Sequence, residues 1–143
     1  MSETRQPRLI MFHKQKTSAR TRFLLLGSGS VCAFAPIPRL AEMMDEPPAQ
    51  SKAVLHPGAL VHDAETRLGL PAGSLEVMSD FHARVDVADD PLSVYLAGFT
   101  TEDPPFAAAT ARGGRFIDLP EARMLPPTEL QLLRLAYEHL LGG

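Results

Sequence analysis

Tryptophan is absent from this chain, and cysteine occurs once, at Cys32. A single cysteine excludes an internal disulfide and a thiolate cage around a metal. Between Val31 and Ala33, with no His or cation beside it, the thiol reads as a small buried hydrophobe. Tyrosine occurs only twice against thirteen prolines, so the elements must be short and often interrupted. No uncharged run reaches the roughly 18 residues of a membrane-spanning helix. Also missing are G-x-S-x-G, the P-loop and H-E-x-x-H. No cofactor and no metal are therefore expected.

What is present describes a folded protein. Of 143 residues, 45% are apolar and 22% charged, values that exclude disorder of the whole chain and fit one domain. The net charge of −3 hides a polarity along the chain. Residues 1–35 carry six basic side chains against one acidic, whereas 36–143 carry eight basic against sixteen acidic. The expected organisation is a basic, flexible arm over 1–22, an apolar strand or signal-like segment with a Pro-rich linker over 23–53, and a single α+β domain over 54–143.

The stretch from Arg22 to Pro36, "RFLLLGSGSVCAFAP", admits three readings. Gly27-Ser28-Gly29 after an apolar run resembles the opening of a dinucleotide-binding unit. However, Cys32 stands where a third small residue belongs, and Pro36 and Pro38 oppose the helix that should follow. A basic leader, an apolar segment and Ala33-Phe34-Ala35 match an export signal ending near Ala35. Pro36 directly after that point and the Gly-Ser insert weigh against it. The reading preferred is a short buried strand, Phe23–Leu26, with a turn-forming exit and a cytoplasmic location.

From residue 54 the local signals agree. Positions 60, 61, 64 and 68 follow a helical spacing over 58–68, closed by Gly69 and Pro71. Leu75 to Val87 alternates apolar and polar residues, and after Asp89-Asp90-Pro91 a second run covers 92–100. This predicts a hairpin, 75–87 with 92–100, in which Val87 faces Leu92 and Tyr95 faces Arg84. A short helix over 106–112, a strand near 115–119, and a C-terminal helix over 128–141 complete the chain. The expected fold is α+β: a small antiparallel sheet covered on one face by the C-terminal helix 128–141 and the short helix 58–68. The order helix–strand–strand–strand–helix is similar to that of the double-stranded-RNA-binding domain. That domain needs a basic start to its last helix, and here it opens Thr128-Glu129, so no family is assigned.

Candidate chemistry lies on the polar face of 75–87. Asp80, His82, Arg84 and Asp86 recur at two-residue spacing, about 6–7 Å apart. His82 between the carboxylates of Asp80 and Asp86 is the candidate general base, and Arg84 the candidate contact for an anionic group. Charged side chains on the wet side of a strand also occur as ordinary surface pairs. His56 and His62-Asp63 follow no metal-ligand spacing. The leading functional expectation is a binding or protein-interaction module, seating another protein or a second copy of itself on exposed Tyr95 and Phe99 beside Arg84. The alternatives are a small hydrolase or isomerase built on His82, and a nucleic-acid contact through the basic arm over 5–22.

Overall fold

The computed structural model describes residues 7–33, 35, 37, 42–43, 57–87 and 90–142. The heart of the sheet is a parallel pair, β1 (Arg8–Lys14) alongside β7 (Asp90–Phe99), with Arg8 opposite Val94 and Phe12 opposite Gly98. Each member of this pair is flanked by two short segments in succession. On β1 these are β2 (Thr21–Leu25) and β3 (Cys32–Ala33), both antiparallel. On β7 they are β5 (Leu75–Val77) and β6 (Ala83–Val87), also antiparallel. The edges are β4 (Glu42–Met43), against β6, and β8 (Arg115–Ile117), against β2. The sheet is mixed and open.

Several of the expectations need correction here. Arg8–Lys14, expected in a flexible arm, is a central strand whose Leu9, Ile10, Met11 and Phe12 are all buried. The preferred reading of Phe23–Leu26 as a short buried strand with a turn-forming exit agrees with β2, in which Phe23, Leu24 and Leu25 are buried, and β3 follows that turn. The Pro-rich segment to residue 53, His56 and the turn residues 88–89 lie mostly or wholly outside the described residues.

The second correction concerns the helices, α1 (Pro57–Leu68) and α3 (Pro127–Gly142). They cover opposite faces instead of sharing one. Leu132, Leu133 and Ala136 of α3 pack on Ile10, Phe12, Phe23, Val85, Leu92, Val94 and Leu96. Val61, Ala64 and Leu68 of α1 pack on Leu9, Met11, Leu24, Tyr95, Ala97 and Phe99. A parallel pair at the centre of a sheet is apolar on both sides, so each side needs its own helix. Between β7 and β8, the short helix α2 (Phe106–Ala111) joins the α1 side through Ala109.

The run 75–87 is also not one strand. Leu75 and Val77 face α1, whereas Phe81, Ala83 and Val85 face α3. A turn over 78–82 causes the change: Met78 N–H donates to Leu96 O, Phe81 N–H donates to Met78 O, and the register against β7 shifts by three residues. An odd shift sends alternate side chains to the other face. In the hairpin itself Val85, not Val87, faces Leu92.

Two buried carboxylates fasten the loops. Glu65 of α1 accepts from the Gly73 and Leu75 N–H groups at 2.8 and 3.0 Å, which sets the entry into β5. Glu129, in the first turn of α3, is 1% exposed. It accepts the Ser30 hydroxyl at 2.8 Å, the Val31 N–H at 3.1 Å and the Ile37 N–H at 3.3 Å. Its charge and, above all, burial push the Cys32 thiol far above its ordinary range, so the thiol is inert packing.

One glycine permits a close approach on which this sheet depends. A Cβ on Gly98 would lie 2.7 Å from Cζ of the buried Phe12 ring across the parallel pair. Gly98→Ala is expected to cost about 1–3 kcal/mol, as overpacking of a filled core does. A urea denaturation midpoint unchanged from wild type would show that the ring yields freely.

Candidate active site

The turn at 78–82 decides which polar residues meet. Asp80 stays on the α3 side, where it is 73% exposed and its Oδ1 lies 3.2 Å from His139 Nε2 in the last turn of α3. The same imidazole meets Phe81 edge-on, with centroids 5.4 Å apart. His82, Arg84 and Asp86 fall on the α1 side, beyond the end of β5. The expected His/carboxylate pair is therefore not assembled. Asp80 is engaged elsewhere, and Asp86 stands four strand residues from His82, about 13 Å.

In its place is a contact that the sequence reading missed. His82 continues the β6–β7 register opposite Tyr95, and the two rings stack at 4.8 Å with planes 19° apart. From there His82 Nε2 reaches Ser93 Oγ at 2.9 Å. Burial lowers the His82 pKa below the ordinary 6.5, which favours a neutral ring at physiological pH. A neutral imidazole with a hydroxyl at hydrogen-bond distance is the arrangement by which a base activates an oxygen nucleophile. Ser93 was hidden by the expected register, which set it opposite Asp86; in the observed register it lies opposite Arg84.

Arg84 and Asp86, two residues apart on β6, form a loose, half-buried pair with Nη2 and Oδ1 3.8 Å apart. Arg84 Nε and Asp86 Oδ1 are buried and have no hydrogen-bond partner among the described residues. Glu42 lies opposite Asp86 in register, so a second acidic residue stands on the neighbouring strand.

Tyr95 and Phe99, expected to be exposed, are each 7% exposed. Both lie in the core under α1, and Phe99 meets Phe116 edge-on at 5.7 Å. The aromatic surface on which a partner or a second copy was to sit is thus filled by the protein itself. The cations of the expected arm are dispersed as well. Arg8 is buried with its Nε–H donating to Ala35 O at 2.7 Å, Arg20 lies 3.7 Å from Asp118, and Arg22 sits over Phe106. Among the described residues no group of three His, Cys, Asp or Glu side chains is placed to hold a metal, and no helix is long and apolar enough to cross a membrane.

The architecture has a counterpart among solved structures. The crystal structure of C. elegans Ap4A hydrolase superposes with a TM-score of 0.54 over 92% of this chain and 94% of that one, at 18% sequence identity. At that identity the likeness is one of fold. Neither a protein-family profile nor a curated protein matches the chain. The leading expectation, an interaction module without catalytic machinery, is corrected by this finding, since the fold is shared with a protein that is an enzyme.

Proposed function

We propose that the protein is a small hydrolase in which His82 is the general base and the Ser93 hydroxyl is the nucleophile it activates. The observation that carries the reading is the 2.9 Å contact between His82 Nε2 and Ser93 Oγ. With the ring proton on Nδ1, Nε2 accepts the Ser93 O–H. Ser93 Oγ attacks the carbonyl or phosphoryl centre of the substrate as its proton passes to Nε2. The leaving group departs with that proton, and water, deprotonated by the same imidazole, then cleaves the Ser93 ester. Tyr95, stacked against the imidazole, fixes the ring plane so that Nε2 stays aimed at Ser93. The likeness in fold to the C. elegans Ap4A hydrolase supports hydrolysis as the reaction class and makes nucleotide esters and anhydrides the first substrates to assay.

Kinetics test this reading. Ser93→Ala and His82→Gln are each expected to lower kcat/KM by about 10²–10⁴, and the double variant to lose no more than the worse single one, because the two groups act as a unit. The base must be unprotonated to work, and its pKa is shifted downward from 6.5. The pH profile of kcat/KM should therefore be flat near neutrality and fall only at some pH below 6.5. An inflection above 6.5, or a Ser93→Ala variant within threefold of wild type, overturns the assignment.

A further inference from the structure

We propose that Asp80 and His139 are positioning residues for the reaction at Ser93: through them the last turn of α3 grips the 78–82 turn and holds the His82 imidazole against Tyr95, within reach of the Ser93 hydroxyl. The inference rests on the reading of His82 as the general base, and it adds to that site two residues from the opposite face of the sheet.

The chain reaches His82 by crossing from one face of the sheet to the other. His82 is exposed and precedes Ala83, the first residue of β6 paired with β7, so the ladder itself does not fix it. On the α1 side it meets Tyr95 and Ser93. On the other side α3 holds the two residues immediately before it. Asp80 Oδ1 accepts from His139 Nε2–H at 3.2 Å, and the buried Phe81 ring meets the same imidazole edge-on, with centroids 5.4 Å apart. Within the turn, Phe81 N–H donates to Met78 O at 3.1 Å, and Met78 N–H is tied to Leu96 O at 2.8 Å. One imidazole thus touches two consecutive residues, and the next residue in the chain is the proposed base.

Exposure separates this role from a purely structural one. Asp80 is 73% exposed, and a contact so open to water contributes little to the stability of the fold. Phe81 is anchored by its own burial in the core under α3, whether or not Asp80 is engaged. Loss of the Asp80 contact therefore leaves the fold standing and loosens the backbone on the N-terminal side of His82. Geometry makes the base sensitive to that loosening. Its Nε2 must stay at the 2.9 Å it now keeps from Ser93 Oγ, and a misplacement of about 1 Å can cost up to ~10²-fold in rate.

Proton NMR of the full chain tests the hold on His82 without any substrate. The variants are Asp80→Ala, which removes the acceptor, and His139→Phe, which keeps a ring against Phe81 but cannot donate. The Cε1 proton of His82, identified by its absence in His82→Gln, is shifted upfield in wild type by the Tyr95 ring and titrates below 6.5. In both variants it should move toward the position of a free histidine, with its midpoint rising toward 6.5 as the ring enters water. Both should keep Tm within about 3 °C of wild type. In kinetics with p-nitrophenyl acetate and p-nitrophenyl phosphate, each should lower kcat about tenfold. Asp80→Asn, which keeps an acceptor oxygen, should stay within about threefold, and the double variant should lose no more than the worse single one. A His82 resonance and midpoint unchanged in both variants would overturn the proposal, as would equal losses of kcat from Asp80→Asn and Asp80→Ala. A resonance that moves in the variants while Ser93→Ala keeps wild-type activity sinks the hydrolase reading and leaves the hold on His82 standing. An inactive Ser93→Ala with an unmoved resonance does the reverse.

Discussion

A chain that begins at residue 36 is expected to show no cooperative thermal transition and no dispersion of its methyl proton resonances. Such a truncation removes β1, β2 and β3 together. Leu9, Ile10, Met11 and Phe12 are each buried, and burial of side chains of this size contributes about 1.5–3 kcal/mol apiece. Four of them amount to ~6–12 kcal/mol, comparable with the whole net stability of a typical domain at about 5–15 kcal/mol. The loss is worse than that sum, because β7 would keep an unpaired edge beside Val94–Gly98 and both helices would lose part of the surface beneath them. Circular dichroism through a thermal ramp decides the matter. A sigmoidal melt for the truncated chain would mean that residues 57–142 hold a fold without the central strand.

Glu129→Ala is expected to be the most damaging single substitution outside the sheet, at about 3–5 kcal/mol and a fall in Tm of about 10–20 °C. The carboxylate gathers the Ser30 hydroxyl and the Val31 and Ile37 N–H groups into the start of α3. Alanine would strand the Val31 and Ile37 N–H groups in a buried place and leave the Ser30 hydroxyl only its 3.5 Å contact with Cys32 O, and each unsatisfied group costs about 1–3 kcal/mol. Glu129→Gln keeps one carbonyl oxygen as acceptor, so a loss of roughly half that size should follow. Differential scanning calorimetry of the two variants separates the readings. If both melt within 2–3 °C of wild type, within about 1 kcal/mol, the loop is not held by this residue.

The local elements were largely legible in the sequence, and their assembly was not. Helical spacing at 61, 64 and 68 marked the buried face of α1, and the terminal helix, the strand after Gly114 and the partner run from residue 92 all occur where periodicity put them. The central strand was missed because its signal is a continuous apolar run, Leu9-Ile10-Met11-Phe12, set among cations. A strand buried on both faces shows no alternation, and the charge of its surroundings drew the eye to solvent. The same property hid the face change at 78–82. When both sides of a sheet are apolar, an alternation from Leu75 to Val87 interrupted only at Ser79 fits one long strand as well as two short ones on opposite sides. The site suffered in turn. His82 and Arg84 were visible as residue types, but a hairpin drawn two residues out of register set Tyr95 against Arg84 and left Ser93 without a role.

The parallel pairing of Arg8 with Val94 also has a bearing on how the protein is made. The first strand leaves the ribosome early, yet its neighbour on one side is among the last parts of the sheet to be synthesised. Contacts between such distant positions raise the contact order and slow folding. Until β7 emerges, Leu9 to Phe12 can pair only with β2 and β3, which leaves its other edge open, and it is there that chaperone capture or aggregation of the nascent protein should begin.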